Sequence, residues 1–120
     1  VSKVPLMTTG GIRRLAVAEE VINSDVALVG MASAMAYTPD LPNRWQSDNT
    51  FEGTIPLVCW KDKTLSGLAT MAMVKRQLHR LGAGKSVKAS LSPVFSLLSD
   101  QLRAAKLTRR YRRQYRTEVK

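Results

Sequence analysis

The spacing of hydrophobic residues changes twice near the start of this 120-residue chain. This change of spacing constrains the fold more strongly than any other feature of the sequence. Residues 4–8 form a short apolar run, typical of a strand, that ends in a turn at 9–11. Apolar residues then recur at helical spacing over 13–24, and 26–29 is continuously apolar, as in a parallel strand covered on both faces. A strand, a helix and a strand within about thirty residues predict a parallel βαβ unit.

The remainder of the chain is predicted to be mainly helical. A short helix follows the second strand and ends before Pro39, and 38–45 is rich in turn residues. Residues 64–81 carry an apolar side at helical spacing, with Gly82 and Gly84 as the stop signal. Ser92 and Pro93 are typical of the N-cap and first turn of a last helix.

Charge is concentrated at the C-terminal end of the chain. The net charge is +10, from 19 Lys and Arg against 9 Asp and Glu. Residues 1–60 hold four basic and six acidic residues, whereas 101–120 hold eight basic and one acidic. The hydrophobic share of 44% argues against disorder. The longest nearly apolar stretch, 26–37, is shorter than the roughly 20 residues of a membrane span, so none is expected.

Single cysteine and histidine residues limit the chemistry that can be expected. Cys59 has no internal disulfide partner, which favours a reducing, cytoplasmic location, and its apolar neighbours predict that it is buried. His79 lies on the polar side of the long helix and is expected at the surface. No acidic residues cluster with it, so no metal site is predicted.

Two turns at the ends of the predicted strands are the candidate binding site. The segments 9–12 and 32–34 follow adjacent parallel strands, whose carboxyl ends are where α/β folds bind ligands. Glycines allow a ligand to approach the backbone, and N–H groups that open a short helix suit a phosphate. The alternative is that the Gly10-Gly11 pair only forms a turn after the strand and binds no ligand, which is common for such turns.

These turns belong to two stretches that resemble a known family. The run VPLMTTGGIRRLAVAEEVINSDVALVGMASAMAYTPDLPNRW and the run WKDKTLSGLATMAMVKRQLHRLGAGK resemble the last two βα units and the closing helix of the NADH:flavin oxidoreductase family, the Old Yellow Enzyme group. The resemblance implies an α/β fold class, as a C-terminal fragment of a (β/α)8 TIM barrel, since a complete barrel takes about 250 residues. Residues 1–85 would form its βα units, and 86–120 a basic helical extension.

The resemblance also implies a cofactor and a reaction. The family passes a hydride from NAD(P)H to FMN and on to an electron-poor alkene or another small-molecule acceptor. The positions that match the family's FMN-phosphate site, where backbone amides bind, are Gly10, Gly11, Ile12, Ala32 and Ser33. Many relatives carry an arginine where this chain has Ser33. Arg13 is a nearby substitute, or else a surface residue at the start of a helix.

No residue of this chain is assigned a catalytic role. The family's catalytic side chains lie on loops after earlier strands that this sequence does not contain. We therefore expect the chain to be inactive alone and to lack most of the pocket for the isoalloxazine ring. Another phosphate-binding barrel with similar final strands is a further alternative.

The C-terminal segment LTRRYRRQYR permits two interpretations. Leu107, Tyr111 and Tyr115 recur at helical spacing with arginines between them. Such a helix can pack its Leu and Tyr stripe on a barrel wall, or it can bind nucleic acid or an anionic membrane surface. The first interpretation is preferred, so nucleic acid is not expected as a partner. The rival function is a small basic nucleic-acid-binding protein.

Overall fold

A computed structural model describes residues 4–118, with side chains described for 4–115. In chain order its elements are β1 (Met7–Thr9), α1 (Leu15–Ile22), β2 (Leu28–Gly30), α2 (Ala32–Tyr37), α3 (Leu41–Ser47), α4 (Lys63–Gly82) and α5 (Pro93–Glu118). The described residues thus contain five helices and two three-residue strands. The observed ends of α4 and the observed start of α5 lie within one or two residues of the positions predicted from the sequence.

The predicted βαβ unit is confirmed. Strands β1 and β2 are parallel, with Met7 opposite Leu28 and Thr9 opposite Gly30, and α1 connects them. Both strands are shorter than the apolar runs that predicted them. Pro5 has no N–H to donate to a ladder, and the ladder begins only at Met7.

The predicted fold class, an α/β C-terminal fragment of a (β/α)8 TIM barrel, is wrong. The described chain is mostly helical, and its sheet has two strands. All of β1 is exposed, and Leu28 keeps 58% of its surface exposed, so β2 is not covered on both faces. A continuous apolar run indicates that burial would be favourable, but it does not reveal whether neighbouring strands are present to provide that burial.

The chain divides into two compact units. One comprises the residues up to 56 together with 77–89, and the other comprises 57–76 together with 90 onward. The sequence-based division into 1–85 and 86–120 rests on the resemblance and on charge, and it stays a prediction.

The first unit has a hydrophobic core that includes residues of the βαβ segment. Its buried members are Ile12, Ala18, Ala34, Leu41 and Trp45. Helix α3, which the sequence suggested as a turn, contributes Leu41 and Trp45 to this core. A proline is tolerated in the first turn of a helix, where the missing N–H has no intrahelical partner, so Pro42 does not prevent α3 from forming.

In the second unit, side chains cap the starts of both long helices. The carboxylate of Asp62 accepts hydrogen bonds from the N–H groups of Thr64 and Leu65, at 2.8 and 3.0 Å. The hydroxyl of Ser92 accepts one from the N–H of Phe95 at 3.3 Å, which confirms the predicted N-cap.

Beyond Asp100, which pairs with Lys75 at 2.9 Å, every side chain of α5 up to residue 115 is exposed.

Candidate functional site

The two turns predicted to bind phosphate meet at one cavity of about 360 Å³ in the first unit. Its lining residues are Met7, Thr9, Gly10, Gly11, Ile12, Gly30, Met31, Ala32, Ser33, Ala34 and Ile55. All five predicted site residues are therefore brought together. The parallel pairing of β1 and β2 accounts for this, because it places the carboxyl ends of both strands at the same edge.

The first turn depends on two glycines in left-handed backbone conformations. Gly10 has a φ of 118° and Gly11 a φ of 67°, a region in which a side chain is strained. Apart from the adjacent residues in the chain, no atom lies within 4 Å of a Cβ built on either glycine, so the space beside this turn is open. A ligand can thus reach the backbone of the turn directly.

Backbone N–H groups of both turns are candidate donors at the cavity. Among the described residues, no backbone hydrogen bond outside the helices and strands engages the amides of Gly10, Gly11 or Ile12. Ala32 and Ser33 are the first two residues of α2, so their amides have no intrahelical acceptor, and no side chain caps this helix. The five N–H groups of these lining residues are therefore candidate donors for an oxygen-rich ligand.

The lining side chains add hydroxyl groups and apolar surface. Thr9 and Ser33 carry the hydroxyls, while Met7, Met31 and Ile55 contribute apolar walls. No cationic side chain belongs to the lining among the described residues. The cavity is suited to an anion that is held by N–H and O–H donors and attached to an apolar group.

Arg13 has a structural role beside the cavity. Its Nε lies 2.7 Å from the Oε1 of Glu52, and its carbonyl oxygen accepts the N–H of Gly53 at 2.8 Å. Arg13 is absent from the residues that line the cavity. These contacts favour the alternative that Arg13 is a surface residue near the start of a helix, rather than a substitute for the missing phosphate-binding arginine.

Three apolar lining residues, Met7, Met31 and Ile55, were not predicted from the sequence. Met7 was assigned only to a strand, and Ile55 lies in an apolar run, 54–60, that follows a polar loop. The buried Gly53 places Ile55 here, because its N–H is bonded to Arg13 and a Cβ on it would lie 2.8 Å from the Cδ2 of Leu41. The apolar run was a usable signal for burial, but not for this position.

The carboxylates near α3 lie outside this cavity. A hydrogen bond from the Arg44 side chain holds the pKa of Asp40 below its usual value of 3.8, and the hydroxyl of Thr50 does the same for the pKa of Asp48. Both groups are therefore ionised near neutral pH, and neither is poised as a general acid.

The structure contradicts the burial prediction for Cys59 and agrees with the one for His79. Cys59 is exposed, so the prediction that it is buried is wrong, whereas His79 is exposed as predicted. Within the described ranges, no group of three or more His, Cys, Asp or Glu residues could hold a metal ion.

Comparisons with known proteins found no relative of this chain. No family model, no curated protein and no solved structure matches the chain. None of the helices in the described part of the chain combines the length and the apolar character needed to cross a membrane.

Proposed function

We propose that the cavity between the two turns binds the phosphate of FMN and that the chain serves an NAD(P)H-dependent flavin oxidoreductase reaction. The observation that carries the proposal is that Gly10, Gly11, Ile12, Ala32 and Ser33 line one cavity. The flavin and the reaction are supported by the sequence resemblance alone. A reducing, cytoplasmic setting is part of the proposal and is supported by the single cysteine.

The donor set fits a phosphate ester. Charge-assisted hydrogen bonds contribute roughly 1.5 to 3 kcal/mol each, so three or four amides can hold a phosphate without a cationic side chain. The apolar walls from Met7, Met31 and Ile55 suit the organic part of the same ligand. At about 360 Å³, the cavity lies at the lower end of the range for small-molecule sites, roughly 300–1,000 Å³.

Bound FMN supplies hydride chemistry, from NAD(P)H to an electron-poor alkene or another small-molecule acceptor. The residues of this chain bind and orient the phosphate. None of them is assigned to move a proton or to polarise a substrate, so we expect the chain alone to show no NAD(P)H turnover.

The proposal is tested by comparing FMN, riboflavin and inorganic phosphate as ligands of the full chain. Riboflavin lacks the phosphate, so we expect FMN to bind at least tenfold more tightly in a fluorescence titration, and phosphate to compete with it. Ser33→Asp places a carboxylate at the phosphate site and should weaken FMN binding at least tenfold. Ser90→Asp adds the same charge at an exposed position outside the cavity and should leave binding unchanged.

Three results would overturn the proposal. Equal affinity for FMN and riboflavin would show that the phosphate is not recognised. Equal losses in the two aspartate variants would show a general charge effect. If none of the three ligands binds while the helical circular dichroism is retained, the cavity is not a phosphate site.

A further inference from the structure

The distal part of α5 is a long, fully exposed and strongly basic helix. Every side chain from 101 to 115 is exposed. The preferred sequence interpretation, in which Leu107, Tyr111 and Tyr115 pack on a barrel wall, is wrong, because these three residues keep 54–58% of their surface exposed. The structure therefore leaves the side chains of this segment accessible to a partner.

Six cations form one side of this helix, which we call the basic arc. Its members are Arg103, Lys106, Arg109, Arg110, Arg112 and Arg113. At about 100° per residue, these positions cover about 180° of the helix circumference. The stripe of Leu107, Tyr111 and Tyr115 covers about 80° on the remaining side. The basic arc and the Leu and Tyr stripe do not overlap, so the cations occupy one half of the helix circumference.

Five of the six cations of the basic arc, all but Arg113, form no ion pair with a carboxylate among the described side chains. Asp100 is the described acidic side chain of α5, and it pairs with Lys75 at 2.9 Å. Among the described side chains, no ion pair engages Arg109, Arg110 or Arg112. The positive potential of the arc is therefore directed outward, where it can attract a polyanion.

The width of the arc distinguishes between polyanions. A flat anionic surface, such as a lipid bilayer, touches a helix along one side only, and an interfacial helix needs a broad apolar face to enter it. The stripe here is narrow, and two of its three residues carry phenol groups. A groove with phosphates on both walls, in contrast, contacts cations that point in opposite directions.

From this geometry we propose that the basic arc of α5 binds double-stranded DNA, with the helix in the major groove and the cations on the flanking phosphates. A helix with its side chains is about 10–12 Å across, and the major groove of B-DNA is about 12 Å wide. The deep, narrow major groove of duplex RNA does not admit a helix in this way. The six cations lie within about 15 Å along the axis, which suits one crossing of the groove.

The binding is electrostatic and independent of base sequence, and it involves no residue of the FMN cavity. Each phosphate contact releases counterions, so log K falls with log salt at a slope of about −0.9 per contact. With five contacts, one for each arc cation other than Arg113, affinity is expected to fall about five-hundredfold between 50 and 200 mM salt.

The test uses the full chain and a fluorescein-labelled 20-base-pair DNA duplex in an anisotropy titration. The arc variant Lys106→Gln/Arg109→Gln/Arg110→Gln/Arg112→Gln removes four charges, and glutamine preserves helix propensity. The matched control Lys61→Gln/Lys63→Gln/Lys85→Gln/Lys88→Gln removes four charges at exposed positions elsewhere. We expect the arc variant to lose at least a hundredfold in affinity at 50 mM salt and its salt slope to flatten by about 3.6, with at most a threefold loss in the control.

Several outcomes would overturn the proposal. Equal losses in the two variants would show that net charge, and not the basic arc, determines binding. Tighter binding to a duplex RNA of the same sequence, or to phosphatidylserine vesicles, would contradict insertion in the major groove of DNA. If the arc variant does not fold, the unmodified chain still decides, because a salt slope near zero excludes phosphate contacts.

Discussion

Thr9 and Gly30 face each other across the two parallel strands, and a Cβ added to Gly30 would lie 2.5 Å from the Cγ2 of Thr9. This separation is shorter than real side chains show, so a side chain at position 30 would force Thr9 to move. Both residues line the cavity, which makes this close approach part of the candidate site.

Gly30→Ala should destabilise the fold by about 1–3 kcal/mol, because the stiff, β-branched Thr9 side chain has to move. Urea unfolding followed by circular dichroism measures the change. The double variant Thr9→Ser/Gly30→Ala lacks the Cγ2 methyl and should recover part of the loss. The control Gly67→Ala lies within α4 in open space and should be neutral or stabilise the protein by about 0.5–1 kcal/mol. A loss that Thr9→Ser fails to reduce would contradict the assigned contact.

Trp45→Phe should cost about 1–3 kcal/mol. The buried indole Nε1 donates a hydrogen bond to the carbonyl oxygen of Phe51 at 2.9 Å, and phenylalanine leaves that oxygen without this donor. Trp60→Phe is the matched substitution, since no hydrogen bond of its indole is found among the described residues, and it should cost less. Chemical denaturation of both variants tests the difference. Equal costs would show that burial of the ring, rather than the hydrogen bond, stabilises this corner.

The pKa of Asp40 should lie below 3.8 in the folded protein and rise toward 3.8 in Arg44→Gln. The guanidinium Nε is 2.8 Å from the Asp40 Oδ2 and stabilises the ionised carboxylate. Because the folded pKa is the lower one, this contribution is present above pH 3.8 and disappears as the pH falls through the folded pKa. Carbon-detected NMR titration measures it, with Arg14→Gln as a control that should not move Asp40. An unchanged pKa in Arg44→Gln would exclude this hydrogen bond in solution.

Cys59 should react with Ellman's reagent in the folded protein at a rate within about threefold of the rate in denaturant, because its side chain is exposed. Cys59→Ser should abolish the reaction and leave the helical circular dichroism unchanged. Strong protection in the folded state would instead restore the prediction of a buried thiol.

Local signals in the sequence predicted the helices well. The apolar spacing in α4, the capping pair Ser92 and Pro93, and the glycine stop at 82–84 each act over a few residues. Helix α3 was missed because turn residues and a proline also suit a helix start, and the burial of Leu41 and Trp45 decided between the two.

The candidate site was predictable because it depends on chain order and strand direction. Parallel strands place their following turns at one edge, so Gly10 and Ser33 could be expected to lie close together. Ile55 could not, since Gly53 brings it there through a contact with Arg13 that no local pattern reports.

The sequence by itself determined a βαβ unit, a glycine-rich pair of turns, two long helices and a strongly basic end. The tertiary structure decided how much of the apolar surface is buried. It left β1 and the Tyr111 stripe exposed, made Cys59 accessible and replaced the expected barrel fragment with a small, mostly helical fold. The physical reason is that the hydrophobic effect acts wherever apolar surface is removed from water, and only the surrounding chain determines which surfaces are covered.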